Sequence, residues 1–124
     1  MRARVATVRH GLLELHKALL DAERGTYEGI HGKVTAGKML QLAFEDPQFA
    51  WLRSLSELIV RIDELAENKE AADSEFDNLL TTVRVLLTPA AGEPTTFARA
   101  YDAALQRDPH IVVLHGRVMR ALRD

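Results

Sequence analysis

Cysteine is absent from the chain, and with it go disulfides, thiolate metal sites and a cysteine nucleophile. Such a composition suits a reducing compartment. No stretch approaches the roughly 20 consecutive apolar residues that a bilayer-spanning helix needs, so no membrane segment is expected. Residues 1–10 are basic but lack the apolar run of a secretory signal. Together these absences point to a cytoplasmic protein. Aromatic residues make up 6% of the chain, too few to interleave a basic face with stacking platforms for nucleic acid. Internal repeats, low-complexity tracts and interdomain linkers are also missing. A single domain is expected over residues 1–124.

What the chain does contain is a hydrophobic fraction of 47%, ample for a folded core. Its net charge of −2 hides a segregation. Residues 1–41 hold seven Lys and Arg against four Asp and Glu, residues 42–94 four against eleven, and residues 95–124 five against three. A basic beginning and end around an acidic middle suits a match of opposite faces, within one chain or between two.

The organising stretch is residues 46–67. Asp46 is a good N-cap and Pro47 suits the first helical position, where a missing N–H costs no hydrogen bond. Leu52, Leu55, Ile59, Ile62 and Ala66 recur at spacings of three and four, with Trp51, Leu58 and Leu65 in an adjacent row. Two adjacent rows predict a central helix that touches several neighbours at once. Residues 4 to about 28 form a second long helix through Val5, Val8, Leu12, Leu15, Leu19 and Ala22, flanked by Leu13, Leu20 and Tyr27. Crowded glycines (Gly25, Gly29, Gly32) should end it near Gly29.

Thr35 should cap a short helix over residues 36–44. Asp73 or Ser74 should cap a helix carrying Phe76, Leu79, Leu80, Val83, Leu86 and Leu87. Pro89, Gly92 and Pro94 break it. Thr95 or Thr96 then opens a helix through Phe97, Tyr101, Ala104 and Leu105. Asp108 and Pro109 open the last one, with Ile111, Leu114, Val118 and Leu122 on its face. Residues 111–114 have strand propensity, but a lone strand finds no partner here. The expectation is an all-α antiparallel helical bundle of about six helices, four of them substantial.

Two stretches carry a resemblance. One runs from Leu15-His16-Lys17-Ala18-Leu19-Leu20 through Glu23, Arg24, Tyr27 and Glu28. The other runs from His31-Gly32-Lys33-Val34-Thr35 and Leu40-Gln41-Leu42 into Asp46-Pro47-Gln48-Phe49-Ala50-Trp51-Leu52-Arg53 and Ser56-Glu57-Leu58-Ile59-Val60. In these, roughly the first half of the chain resembles an uncharacterised bacterial family of small all-helical proteins. The resemblance implies an all-helical fold and carries no assigned activity.

Few constellations point to chemistry. Residues 32–39 nearly spell the phosphate loop G-x-x-x-x-G-K-[ST], but Met39 stands where the magnesium-binding hydroxyl belongs and no strand precedes Gly32. A helix end, a turn and a new cap explain the stretch better. Glu28 and His31 match one half of a carboxylate-bridged di-iron motif, whose other members are missing. No catalytic residue, metal site or cofactor is expected. Arg117, Arg120 and Arg123 complement a helix C-terminus, so they and Arg2 and Arg4 do not argue for nucleic acid.

The polar set that stands out is Arg9, His16 and Glu23, seven apart and inside an apolar arc. Ser56 and Asp63 sit at the edge of the central helix's arc, also seven apart, and Tyr27 lies near Glu23's face. Burying such groups unpaired costs a few kcal/mol each, so they should bond one another or water. His16 and Glu23 lie about 10.5 Å apart along the axis and cannot share one metal. The leading reading is a non-enzymatic interaction or assembly module that forms a homodimer or meets a protein partner. The alternative is a small-ligand or metal-binding bundle using His16, Glu23, Tyr27 and Asp63 in a pocket between the first and central helices.

Overall fold

The structure, a computed structural model, describes residues 1–88 and 94–123. Among these residues it contains six α helices, one 3₁₀ helix and no strand. Helix α1 (Arg2–His31) buries Val5, Val8, Leu12, Leu15 and Leu19 along one stripe. Gly25 and Gly29 face open space and continue the helix; Gly32, at φ 84°, is the residue that turns the chain. The end therefore falls slightly beyond Gly29.

Thr35 caps α2 (Ala36–Glu45), its hydroxyl accepting the Lys38 N–H at 3.1 Å. Asp46 then accepts the Gln48 N–H on its carboxylate at 2.8 Å and the Phe49 N–H on its carbonyl at 3.1 Å. That i to i+3 bond corrects the expectation of one uninterrupted helix over residues 46–67. Pro47–Leu52 is a 3₁₀ helix, and α3 (Arg53–Glu67) begins only after it. Three residues per turn place Phe49 and Leu52 on one side. Both are buried, as is Trp51, because this segment packs against α1, α2, α3 and the later α5. Helix α3 adds contacts with α1 and α4, so the stretch as a whole does touch several neighbours. Ala66 is exposed and Leu65 half-buried, so the apolar stripe of α3 effectively ends at Ile62.

Helix α4 (Asp73–Leu87) starts one residue earlier than expected, after Ala72, whose N–H donates to Glu75 Oε2 at 2.8 Å. Asp73 sits inside the first turn instead of capping it. The expected break at residues 89–93 lies outside the described residues. Thr95 caps α5 (Thr96–Arg107) by accepting the Ala98 N–H, and Asp108 accepts the His110 N–H ahead of α6 (Pro109–Arg123). Residues 111–114 are helical, as the flanking pattern requires.

The packing is antiparallel. Arg4 reaches the Ala121 and Leu122 carbonyls, and Glu14 lies 3.6 Å from Arg117, so α1 and α6 run in opposite directions. Arg2 reaches the Ala66 and Asn68 carbonyls at 2.9 and 2.7 Å, Arg9 pairs with Asp63, and Glu23 meets Trp51, which sets α1 against α3 in the same sense. One contiguous core joins all six helices.

Candidate functional site

The basic residues near the N-terminus are occupied in closing helix ends. The last carbonyls of a helix have no intrahelical donors and carry the negative end of its dipole. Arg2 supplies donors to the end of α3 and also lies over the Phe76 ring, 5.0 Å from its centre. Arg4 and Arg84 both donate to the Leu122 carbonyl at the end of α6. The basic beginning and the acidic middle of the chain meet directly at the Arg9–Asp63 pair.

The six polar residues singled out by their spacing do not assemble into one cluster. Arg9 and Asp63 form an ion pair across α1 and α3, with both side chains about two-fifths exposed (42% and 41%). The hydrogen bond to Asp63, then its charge, raises the Arg9 pKa further. Ser56 donates to the Arg53 carbonyl of its own helix at 3.1 Å. Tyr27 packs on His31 and Phe49, with ring centres 4.3 and 6.0 Å apart. His16 is half-buried, and burial lowers its pKa. Among the described residues no hydrogen bond joins it to the other five. Seven-residue spacing carries Arg9, His16 and Glu23 successively about 10.5 Å along α1, so each meets a different neighbour. No one pocket therefore collects His16, Glu23, Tyr27 and Asp63; of the four, Glu23 lines a cavity between α1 and the 3₁₀ helix.

Glu23 is the member with a developed environment. Its Oε1 accepts the Trp51 indole N–H at 3.2 Å, and its Oε2 accepts the Gln48 amide at 3.0 Å. Gln48 also reaches the Glu23 carbonyl at 3.3 Å. The tight 3₁₀ winding is what presents both Gln48 and Trp51 to α1. Beside this carboxylate a cavity of about 160 Å³ opens between α1, the 3₁₀ helix and the α5–α6 corner. A larger groove between α3 and α4, lined by Arg61, Glu64 and Asn78 among others, is open to solvent.

Sequence reasoning did not single out a second polar pair. The Tyr101 hydroxyl lies 2.6 Å from His115 Nδ1. Burial pushes the phenol pKa well above its ordinary value and that of His115 down. Phenol and imidazole are thus both neutral near pH 7 and share one hydrogen bond, in which the hydroxyl donates to a bare Nδ1 or accepts from an Nδ1–H. Tyr101 stacks in turn on Phe97, which packs on Trp51. A phenol placed at core spacing needs an acceptor, and that need was the available signal.

Comparison with protein-family models, curated proteins and solved structures returns no match. Residues 32–39 end α1, turn at Gly32 and start α2, with no strand before them. Glu28 Oε2 accepts the Val34 N–H at 2.8 Å, which gives this carboxylate a structural task. Among the described residues no three His, Asp or Glu side chains converge as a metal site would require, and no helix is long and apolar enough to cross a membrane.

Proposed function

We propose that this chain is a non-enzymatic helical module that self-associates through α2. The observation that carries the reading is the exposure of Leu40 (62%) and Phe44 (71%), four residues apart on one face of that helix. At 100° per residue, Met39, Leu42 and Ala43 point towards the body, and Leu40, Phe44 and Ala36 extend the apolar arc past half the circumference. Among the described residues, the one substantial contact of α2 with the rest of the fold is the 3₁₀ helix. Exposed apolar surface at one place on a small protein marks an interaction site.

A second copy of the chain suits this face. A two-fold axis through the middle of α2 sets Leu40 of one copy against Phe44 of the other. Two ten-residue helices make a small interface, and micromolar association is expected. The same reading keeps the chain in the cytoplasm and groups it with the bacterial helical proteins its first half resembles.

Sedimentation velocity across micromolar concentrations tests the proposal. Wild type should shift towards a dimer, and Phe44→Asp should stay monomeric with an unchanged melting temperature. A wild type that is monomeric at hundreds of micromolar overturns it, as does a dimer indifferent to Leu40→Asp and Phe44→Asp.

A further inference from the structure

The cavity beside Glu23 holds two opposite charges that do not bond one another. Glu23 lines one side, and both of its hydrogen-bond donors, Trp51 and Gln48, are neutral. Arg107 lines another side and spends one N–H on its own helix, at the Ala103 carbonyl, 3.3 Å away. Among the described residues neither side chain makes an ion pair. A carboxylate offers about four lone-pair positions and a guanidinium five donors, so both retain capacity. The lining also includes Leu19, Ile111 and Ala104, all buried.

We infer that this cavity binds a small zwitterion: an α-amino acid with a short aliphatic side chain. The ammonium group meets Glu23, the carboxylate meets Arg107, and the side chain rests on Leu19, Ile111 and the indole of Trp51. Size sets the class. A cavity of about 150 Å³ in another protein holds one benzene, so the 160 Å³ here fits about six to eight heavy atoms, the range from alanine to valine. Asp108 also borders the cavity, although one of its oxygens is engaged in capping α6. Its charge leaves the site net negative, which favours an ammonium group and rejects a second carboxylate on the ligand.

Trp51 is the only tryptophan in the chain, so its fluorescence and its indole N–H resonance report on the cavity directly. The full-length protein would be titrated to millimolar concentrations with L-valine, isobutylamine, isobutyrate and L-glutamate. Valine should shift both signals saturably, and each of the other three should bind about tenfold or more weakly. Arg107→Gln should bring valine down to the affinity of isobutylamine, and Glu23→Gln, whose amide oxygen still accepts from Trp51, to that of isobutyrate. No response to valine overturns the assignment. So does equal binding of valine and isobutylamine to wild type, which needs no variant to fold.

Discussion

The seam between α1 and α6 and the short helix α2 are made from the same ingredients and end differently. In the seam, Val5, Val8, Leu12, Leu15 and Leu19 meet Ile111, Leu114, Val118 and Leu122, and all are nearly inaccessible. Arg4 and Arg84 close the end at the C-terminus of α6. In α2, Met39 and Leu42 dock while Leu40 and Phe44 remain outside. Length explains the difference. A helix of 30 residues can lay its stripe along several partners, whereas a ten-residue helix on one neighbour buries only part of a wide arc. Surface that the fold has no means of covering is where partners are to be sought. The flanking row on α1 and the rows on α3 do not provide it. Leu20 and Tyr27 pack against the core and Trp51 and Leu58 are buried, leaving Leu13 and Ala66 as the exceptions.

The largest expected effect is the stability contrast between these regions. Leu15→Ala, in the seam, should cost about 2–5 kcal/mol, since it removes transfer energy and leaves a cavity among close-packed neighbours. Leu40→Ala should change stability by no more than about 0.5 kcal/mol. Urea denaturation of both variants measures the contrast. Similar costs at the two sites would show that α2 is better buried in solution than its exposure indicates.

A smaller effect separates the histidines by region. His16 on α1 and His115 on α6 both have their pKa lowered by burial. An unfolded histidine binds its proton near pH 6.5, while these folded ones bind it less readily. The unfolded state therefore holds more protons, and stability rises with pH in this window. Their contribution is complete above about pH 6.5 and is lost as the pH falls below that value towards their folded pKa values. Urea midpoints should drop on acidification to about pH 5, before most carboxylates titrate. Substituting His16 or His115 by Gln should flatten the slope.

Helices and caps were legible because both are local. Apolar spacing located all six helices, and Thr35, Asp46, Thr95 and Asp108 each accept the N–H expected of a cap. The 3₁₀ winding of Pro47–Leu52 was not legible, since its cause is burial against four other helices. Trp51 was legible only as an apolar residue, although its indole N–H needed an acceptor and Glu23, a polar group inside an apolar arc, needed a donor. Arg9 and Asp63 could each be recognised as polar groups at an apolar edge, and they pair. Arg2 and Arg4 read as a basic cluster because nothing local reveals that the ends of α3 and α6 lie beside them.

The subtlest test concerns two glycines on α1 itself. Gly25 faces open space, so Gly25→Ala should stabilise by about 0.5–1 kcal/mol through reduced backbone freedom in the unfolded chain. Gly11 carries the same helix penalty but lies in the seam, where an added Cβ would sit 3.0 Å from Val118 Cγ2. Val118 is fully buried, and a β-branched side chain in a helix has one favoured χ1, so it has little room to yield. Gly11→Ala should therefore lose most or all of the gain, and Gly11→Leu should be strongly destabilising. In a Val118→Ala background the opposing methyl is gone, and Gly11→Ala should recover the gain seen at Gly25. Thermal melts of the Gly11/Val118 double-mutant cycle read this coupling directly. Additive effects would mean that α1 and α6 can separate locally without cost, and the close seam would lose its claim to be the rigid half of the molecule.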